Sequence, residues 1–277
     1  TKAVVTKDGQ FLARKLEAFA NNGGYASHGH AICANCGNVY KELYQDKLGT
    51  EVDCWTVYTN APTAGAMRAY GIPQSVWFTE CQTDDIAKKL GIDPLELRMK
   101  NCMPAGFKDP HNGITFHSYG LKQTMEKGAE LVHWKEKRAE YDKPQSGEKR
   151  RGIGMAIFCY KTGVYPIALE TASARMVLNQ DGSAQLFMGA TEIGQGADTV
   201  FVQMAAESSG LRFEDIYIES TQDTDTAPFD TGAYASRQTY VSGKACKKVA
   251  EEFKRKLIDY AVYMVNHAVE DFSKTEY

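Results

Sequence analysis

Two glycine-rich turns and one arginine–tyrosine pair hold the residues of this sequence best suited to chemistry. The first turn, GATEIGQG (189–196), joins an apolar run at 183–189 to a segment, 197–209, whose apolar residues fall at mixed helical spacing. Glycines at a strand-to-helix junction let backbone N–H groups come close to a ligand, and the amides of a helix start favour an anion. The turn reads as a cradle for an anionic ligand, although a plain tight turn before a packed helix satisfies the same pattern. It is not a nucleotide P-loop, because Gln195 and Gly196 stand where Lys and Ser/Thr are required. The second turn, Gly232 to Thr239, leads small residues and hydroxyls into the last helical segment and makes another candidate anion site, with an ordinary Ser-capped helix as the alternative. The third stretch, GAMRAYGIPQ (65–74), sets Arg68 near Tyr70 between glycines. That pairing suits an orienting or phosphate-binding guanidinium beside a ring that stacks on a planar ligand.

Metal chemistry has two weaker candidates. His28, His30, Cys33 and Cys36 lie within nine residues and are ligand types zinc prefers, but helical spacing lines up the two thiols and leaves the histidines ahead of the helix. Buried thiols on a helix explain the same residues. Asp223, Asp225 and Asp230 give the loop 223–232 oxygen ligands without the spacing or closing Glu of an EF-hand. No Ser/His/Asp triad or nucleophile–base pair is evident.

The elements that must position these residues follow from apolar periodicity and from glycine and proline punctuation. Residues 10–20 suggest a strand, with a helix as the alternative, 30–44 a helix interrupted at Gly37, and 54–58 a short strand. Pro73 opens a helix over 74–90 that Gly91 closes, and Asp93 caps another from Pro94. Ser118 is expected to cap a helix over 121–141. Strands are expected at 152–160, 167–178, 183–189 and 213–219, a helix at 197–209, and a long helix over 235–269 broken or bent at Gly243. Hairpins mixed with helices imply an α+β fold of layered mixed or antiparallel sheets with packed helices. Residues 143–149 are the most linker-like stretch, which divides the chain into pieces at 1–142 and 150–277. No internal repeat is present, and the abrupt start at Thr1 suggests a cut inside a longer polypeptide.

Composition excludes several classes. A chain of 277 residues, 43% hydrophobic and 24% charged, can bury one large core or two smaller ones. Its net charge of −3, with cations scattered apart from Lys149, Arg150 and Arg151, offers no face for nucleic acid. No apolar run approaches a membrane span, and seven cysteines, an odd number, fit thiols in a reducing cytoplasm better than a disulfide framework.

Taken together and in this order, GAMRAYGIPQ (65–74), GATEIGQG (189–196) and DTGAYASRQT (230–239) resemble the molybdenum-cofactor subunit of the xanthine dehydrogenase and aldehyde oxidase family. LGIDPLELR (90–98) with Lys100 and Asn101 supports the resemblance, which covers most of the chain. It implies a molybdopterin-binding fold in two pieces and a molybdenum–pterin cofactor, with a cytosine dinucleotide among its forms. It also implies hydroxylation of a purine or related N-heterocycle with water, and iron–sulfur and FAD domains or subunits as partners. By motif, Arg68, Gly194, Gln195, Gly196, Ala235, Ser236, Arg237, Gln238 and Thr239 would bind the cofactor, with no protein side chain directly on the metal. Tyr70, Val164 and Tyr165 would face substrate, Val164 departing from the aromatic of purine oxidisers. Neither the family's upstream Gly-Phe-Gly-Gly segment nor its downstream segment bearing the general-base glutamate is present. The resemblance thus implies the middle of a subunit, inactive alone; a scaffold half of a split subunit and a zinc module built on Cys33 and Cys36 are the alternatives.

Overall fold

The computed structural model describes residues 1–109, 113, 115–164, 169–219 and 223–273, with side chains described through residue 268. It contains two compact units, Thr1–Tyr160 and Lys161–Tyr277. Each is α+β and carries one small mixed sheet.

In the first unit β1 (Lys2–Val5) pairs antiparallel with β2 (Phe11–Gly23), and β2 pairs parallel with β3 (Gly49–Tyr58). The parallel pairing requires a crossover, which α1 (Gly29–Glu42) supplies. Helix α1 runs unbroken through Gly37 instead of stopping there. Gly37 serves close packing, because a Cβ on it would lie 2.7 Å from Val52 and 2.9 Å from the Cys54 sulfur on β3. Helix α2 (Ile72–Leu90) takes Pro73 in its first turn and ends at left-handed Gly91, where Ile92 N donates to Ala87 O at 3.0 Å. The Asp93 carboxylate caps α3 (Pro94–Asn101) by accepting from Leu95 N at 2.8 Å, and the same carboxylate accepts from Trp134 Nε1 at 3.1 Å.

The single helix expected over 121–141 is two, α4 (Leu121–Leu131) and α5 (Trp134–Tyr141), separated by His133 at φ 54°. Gly120, not Ser118, occupies the N-cap. Turning the chain at His133 delivers Trp134 into the interior, where it is buried against the Asp93 cap.

The strand expected at 152–160 does not form. Its apolar side chains do enter the core, since Ile157 packs with Phe11, Leu43, Tyr44, Ala87, Leu97, Cys102 and Met125. The backbone of Ile157 finds its partner in a side chain rather than a ladder: its N–H donates to Glu80 Oε2 at 2.9 Å. Glu80 is the centre of a buried network. It accepts from Tyr44 Oη at 2.6 Å and from Arg98 Nε at 2.8 Å, while Arg98, fully buried, also reaches Asp84. Asn101 makes the other long-range tie, donating to Gly9 O and accepting from Phe11 N, each at 2.8 Å. Asp93, Arg98 and Asn101 therefore give LGIDPLELR and its Asn a scaffolding role. Glu80→Ala is expected to cost about 3–5 kcal/mol, because a buried guanidinium would lose its principal partner. Urea denaturation checks this; a cost under about 1 kcal/mol, the usual size of an exposed ion pair, would mean solvent reaches Arg98 freely.

In the second unit β4 (Ala174–Leu178) pairs antiparallel with β5 (Ala184–Met188), which pairs parallel with β6 (Ile216–Glu219). Strand β4 begins at Ala174; of the stretch expected from 167, residues 167 and 168 lie outside the described residues, and 169–173 contribute only the bridge between Ala172 and Asp230. Phe213–Asp215 form one 3-10 turn rather than the start of a strand. Helix α6 (Ala197–Ser209) packs Phe201, Val202 and Ala205 on Leu186, Met188 and Ile216, with Cys246 and Ala250 of α7 (Gly243–Ser273) closing the core. The helix expected from 235 starts at Gln238 as a π-helical turn, Gln238–Ser242, and in place of a break Gly243 takes helical φ and ψ where that turn gives way to α7. No helix among the described residues is long and apolar enough to cross a membrane.

Candidate functional site

In the second unit the two glycine turns meet. Gly189, at the end of β5, lies directly against the loop 228–230, where any Cβ would collide with the Pro228 carbonyl oxygen. From this junction the two turns are joined through side-chain amides. Gln195 Nε2 donates to Gln238 Oε1 and, at 3.1 Å, to Thr191 O, and Gln238 Nε2 donates to the same carbonyl at 2.8 Å. Gln195 Oε1 accepts from Ile193 N at 2.7 Å. Gly194 and Gly196 have φ of 95° and 83°, and a Cβ on either would enter open space. Any side chain there would be strained and would stand where a ligand could approach the backbone.

The amides at this helix start are already engaged. Glu192 Oε1 accepts from Gly194 N at 2.6 Å and Gly196 N at 3.1 Å, and Glu192 Oε2 accepts from Asp198 N at 3.2 Å. The bond from Asp198, with those from the glycines, holds the Glu192 carboxyl below the usual glutamate range despite some desolvation. The anion that the sequence pattern calls for at this turn is thus one the chain itself provides.

The second turn is shaped from beneath by Arg237, which is completely buried. Its Nε donates to Glu170 Oε2 at 2.7 Å, Nη1 to Asp230 Oδ1 at 2.5 Å and Gly232 O at 2.9 Å, and Nη2 to Thr171 O at 2.7 Å. All three nitrogens are spent inside the protein, so the guanidinium acts as a strut under the turn. Asp230 also accepts from Gly232 N at 2.9 Å and Ser242 Oγ at 2.7 Å, so the carboxylate of the calcium-like pattern is saturated by protein donors. Above the strut, Ala235 and Ser236 have φ of 48° and 51°. Two successive non-glycine residues in the left-handed region mark strain that the ion pair and surrounding bonds sustain. Ser236 and Thr239 are exposed and Gln238 is half-buried, whereas the Thr231 hydroxyl is buried without a hydrogen-bond partner.

Val164 belongs to this assembly. Its N–H donates to Glu170 Oε1 at 2.5 Å, and the preceding Gly163 N donates to Ala235 O at 2.7 Å. Tyr165 lies outside the described residues.

In the first unit Arg68 and Tyr70 occupy the turn before α2. Arg68 is exposed and Tyr70 half-buried, and Ala69, Tyr70 and Gly71 have φ of 77°, 52° and 88°. Three left-handed residues in a row need an external brace, which α1 provides. Asn35 Nδ2 donates to Tyr70 O at 2.7 Å, His28 Nδ1 bonds the Tyr70 hydroxyl at 2.8 Å, and a Cβ on Gly71 would sit 2.6 Å from Ile32 O. Burial pushes the Tyr70 phenol above its ordinary value.

His28 is therefore committed to Tyr70, and His30 Nδ1 faces Thr56 Oγ1 at 3.4 Å, away from a shared ligand set with Cys33 and Cys36. Both thiols are buried, Cys33 points at Trp55 O, and burial raises Cys36 to about 12. Among the described residues no group of three or more His, Cys, Asp or Glu is arranged to hold a metal ion. Glu192, Glu170, Asn35 and His28 carry the geometry of these turns without having been singled out for it in the sequence pattern. Glu192 alone had a signal there, as the acidic residue inside GATEIGQG.

A family model described as a molybdopterin cofactor-binding domain matches residues 127–276, and a second of the same description matches 1–102. The xanthine dehydrogenase molybdenum-binding subunit of Escherichia coli O157:H7 is 44% identical over 264 residues, covering 95% of this chain and 35% of the relative. The aldehyde oxidoreductase of Desulfovibrio desulfuricans superposes with a TM-score of 0.76 at 27% identity, covering 89% of this chain and 27% of that one. Reconstituted CO dehydrogenase from Oligotropha carboxidovorans superposes with a TM-score of 0.75 at 25% identity, covering 95% and 35%. The chain thus spans about a third of the length of the curated xanthine dehydrogenase subunit it matches.

Proposed function

We propose, for a chain that belongs to the molybdopterin cofactor-binding domain family, that it forms the cofactor-cradling part of a xanthine dehydrogenase-like molybdenum hydroxylase subunit. The observation carrying this reading is the junction of the two glycine turns through Gln195 and Gln238 beside open space at Gly194 and Gly196. A pterin edge alternates hydrogen-bond donors and acceptors, and neutral amides supply both. The exposed amide of Gln195 and the strained turn Ala235, Ser236, Gln238 and Thr239 would hold such a group, with Gly194 and Gly196, whose N–H groups Glu192 takes, leaving room for its close approach. Thr231, with a buried hydroxyl lacking a partner, is a further donor in the same loop.

When bound, the cofactor supplies a molybdenum centre that accepts electrons and delivers a water-derived oxygen to an electron-poor carbon. The residues of this chain bind and orient. Gln195 and Gln238 fix the pterin edge, Arg237 holds the second turn in its strained shape, and Arg68 offers a planar fork to an anionic or carbonyl oxygen. Tyr70 would present a ring to a flat heterocycle, and Val164 and Tyr165 are the other residues we assign to the substrate. The favoured substrate class is a purine or related N-heterocycle, consistent with the 44% identity to a xanthine dehydrogenase subunit. The linker-like stretch 143–149 lies inside the first compact unit, which extends to Tyr160, and we assign the iron–sulfur and FAD groups to partner domains or subunits.

In the complete parent polypeptide, Arg68→Ala is expected to lower kcat/KM by about 10²-fold, the size of losing one oriented electrostatic contact, while leaving thermal stability near wild type. Arg68→Lys should not restore it, since an ammonium lacks the fork. Dye-coupled turnover of xanthine, hypoxanthine and nicotinate is the measurement; normal kinetics in Arg68→Ala would remove this turn from the substrate site, and no turnover of any heterocycle by the wild-type parent would overturn the substrate class.

A further inference from the structure

We propose that Glu192 is a positioning residue for the cofactor, acting through Gln195. This rests on the cofactor-cradle reading above. The carboxylate reaches across the turn and takes the amides on both sides of Gln195, Gly194 N at 2.6 Å and Gly196 N at 3.1 Å, on the same oxygen. Its second oxygen ties the arrangement to α6 through Asp198 N at 3.2 Å. Both clamped residues are glycines at positive φ, with no side chains of their own to fix the loop. Without the clamp, residues 193–196 would retain only the bonds that the Gln195 side chain makes, and the amide meant for the ligand would hold its turn alone. Glu192 shares that duty with Gln195, whose side chain already bonds Ile193 N, Thr191 O and Gln238 Oε1, and so fixes the backbone on both sides of the residue that bears the amide.

Reach and charge can be separated. Asp at 192 keeps the charge and is a good helix cap, but it is one methylene short of spanning Gly194, Gly196 and Asp198 together. Gln keeps the reach and one acceptor oxygen for both glycine amides while losing the charge and the bond to Asp198. The experiment compares E192D, E192Q and wild type in the complete parent polypeptide, reading molybdenum by elemental analysis, pterin by fluorescence after release, and the melting temperature. E192D is expected to lose about ten-fold in bound cofactor, the scale of removing a support behind a ligand-holding group, with melting near wild type. E192Q is expected to keep most of its cofactor. Wild-type cofactor content in E192D would overturn the proposal, as would equal depletion in E192Q and E192D, which would assign the effect to charge rather than reach. Wild-type parent free of molybdenum and pterin would overturn the cradle reading itself, an outcome distinct from either.

Discussion

Arg237→Ala is expected to cost about 3–5 kcal/mol and to dissolve the second turn, because it strands a carboxylate that has no solvent to turn to. Asp230 is fully buried at its side chain and Glu170 is only slightly exposed, and Arg237 is the cation common to both. The same guanidinium also holds the carbonyls of Thr171 and Gly232, so the loop 228–236 and the segment ahead of β4 would lose their common tie. Arg237→Lys should recover little, since one ammonium cannot reach four acceptors on three sides. The pH dependence has a definite sign. Partial burial pushes Glu170 toward its neutral form, but the bonds from Arg237 and the Val164 N–H together with the Arg237 charge outweigh it and leave the carboxyl below its ordinary 4.5. Its contribution is therefore full above that value and lost as pH falls through the lower folded value, and the gap between wild type and Arg237→Ala should narrow in acid. Denaturant titration across pH reads both; a pH-independent cost under about 1 kcal/mol would contradict the strut.

The second large effect is on turnover. The purified 277-residue chain is expected to be silent toward xanthine, hypoxanthine and nicotinate in a dye-coupled assay, and to carry little molybdenum. Hydroxylation by this chemistry uses a general base, worth about 10²–10⁴ in rate, and no segment here matches the family's base-bearing motif. Few hydrogen bonds from the two turns, each about 0.5–1.5 kcal/mol net, would have to retain a large polar group that a closed site normally surrounds. Turnover together with stoichiometric molybdenum in this chain would mean that one of its own residues does the base's work.

What could be read from the sequence was whatever is settled locally. Pro73 and Gly91 bracket α2, Asp93 caps α3, and Gly196 and Gly210 bracket α6, each by conformational preferences that act over a few residues. What escaped depends on distant partners. Residues 152–160 alternate like a strand, yet Ile157 gives its amide to a glutamate 77 residues earlier in the chain. Gly37 looks like a break until β3 is seen packed against it. His133 divides a continuous helical pattern so that Trp134 can be buried. The same division runs through the candidate site. GATEIGQG and DTGAYASRQT advertise their glycines and amides, but the meeting of Gln195 with Gln238, 43 residues apart, is a fact of tertiary structure. So is the internal use of Arg237, which sequence alone cannot distinguish from a ligand-facing cation.

The central claim, that the joined turns of the second unit hold a molybdopterin, is tested most directly by cofactor content in the complete parent polypeptide carrying Gln195→Ala together with Gln238→Ala. Both side chains are at least partly exposed, so the fold should persist. Elemental molybdenum and released pterin are predicted to fall together by about ten-fold or more relative to wild type, at an unchanged melting temperature. Full retention of both in a folded double variant would contradict the account and move the cofactor away from these turns.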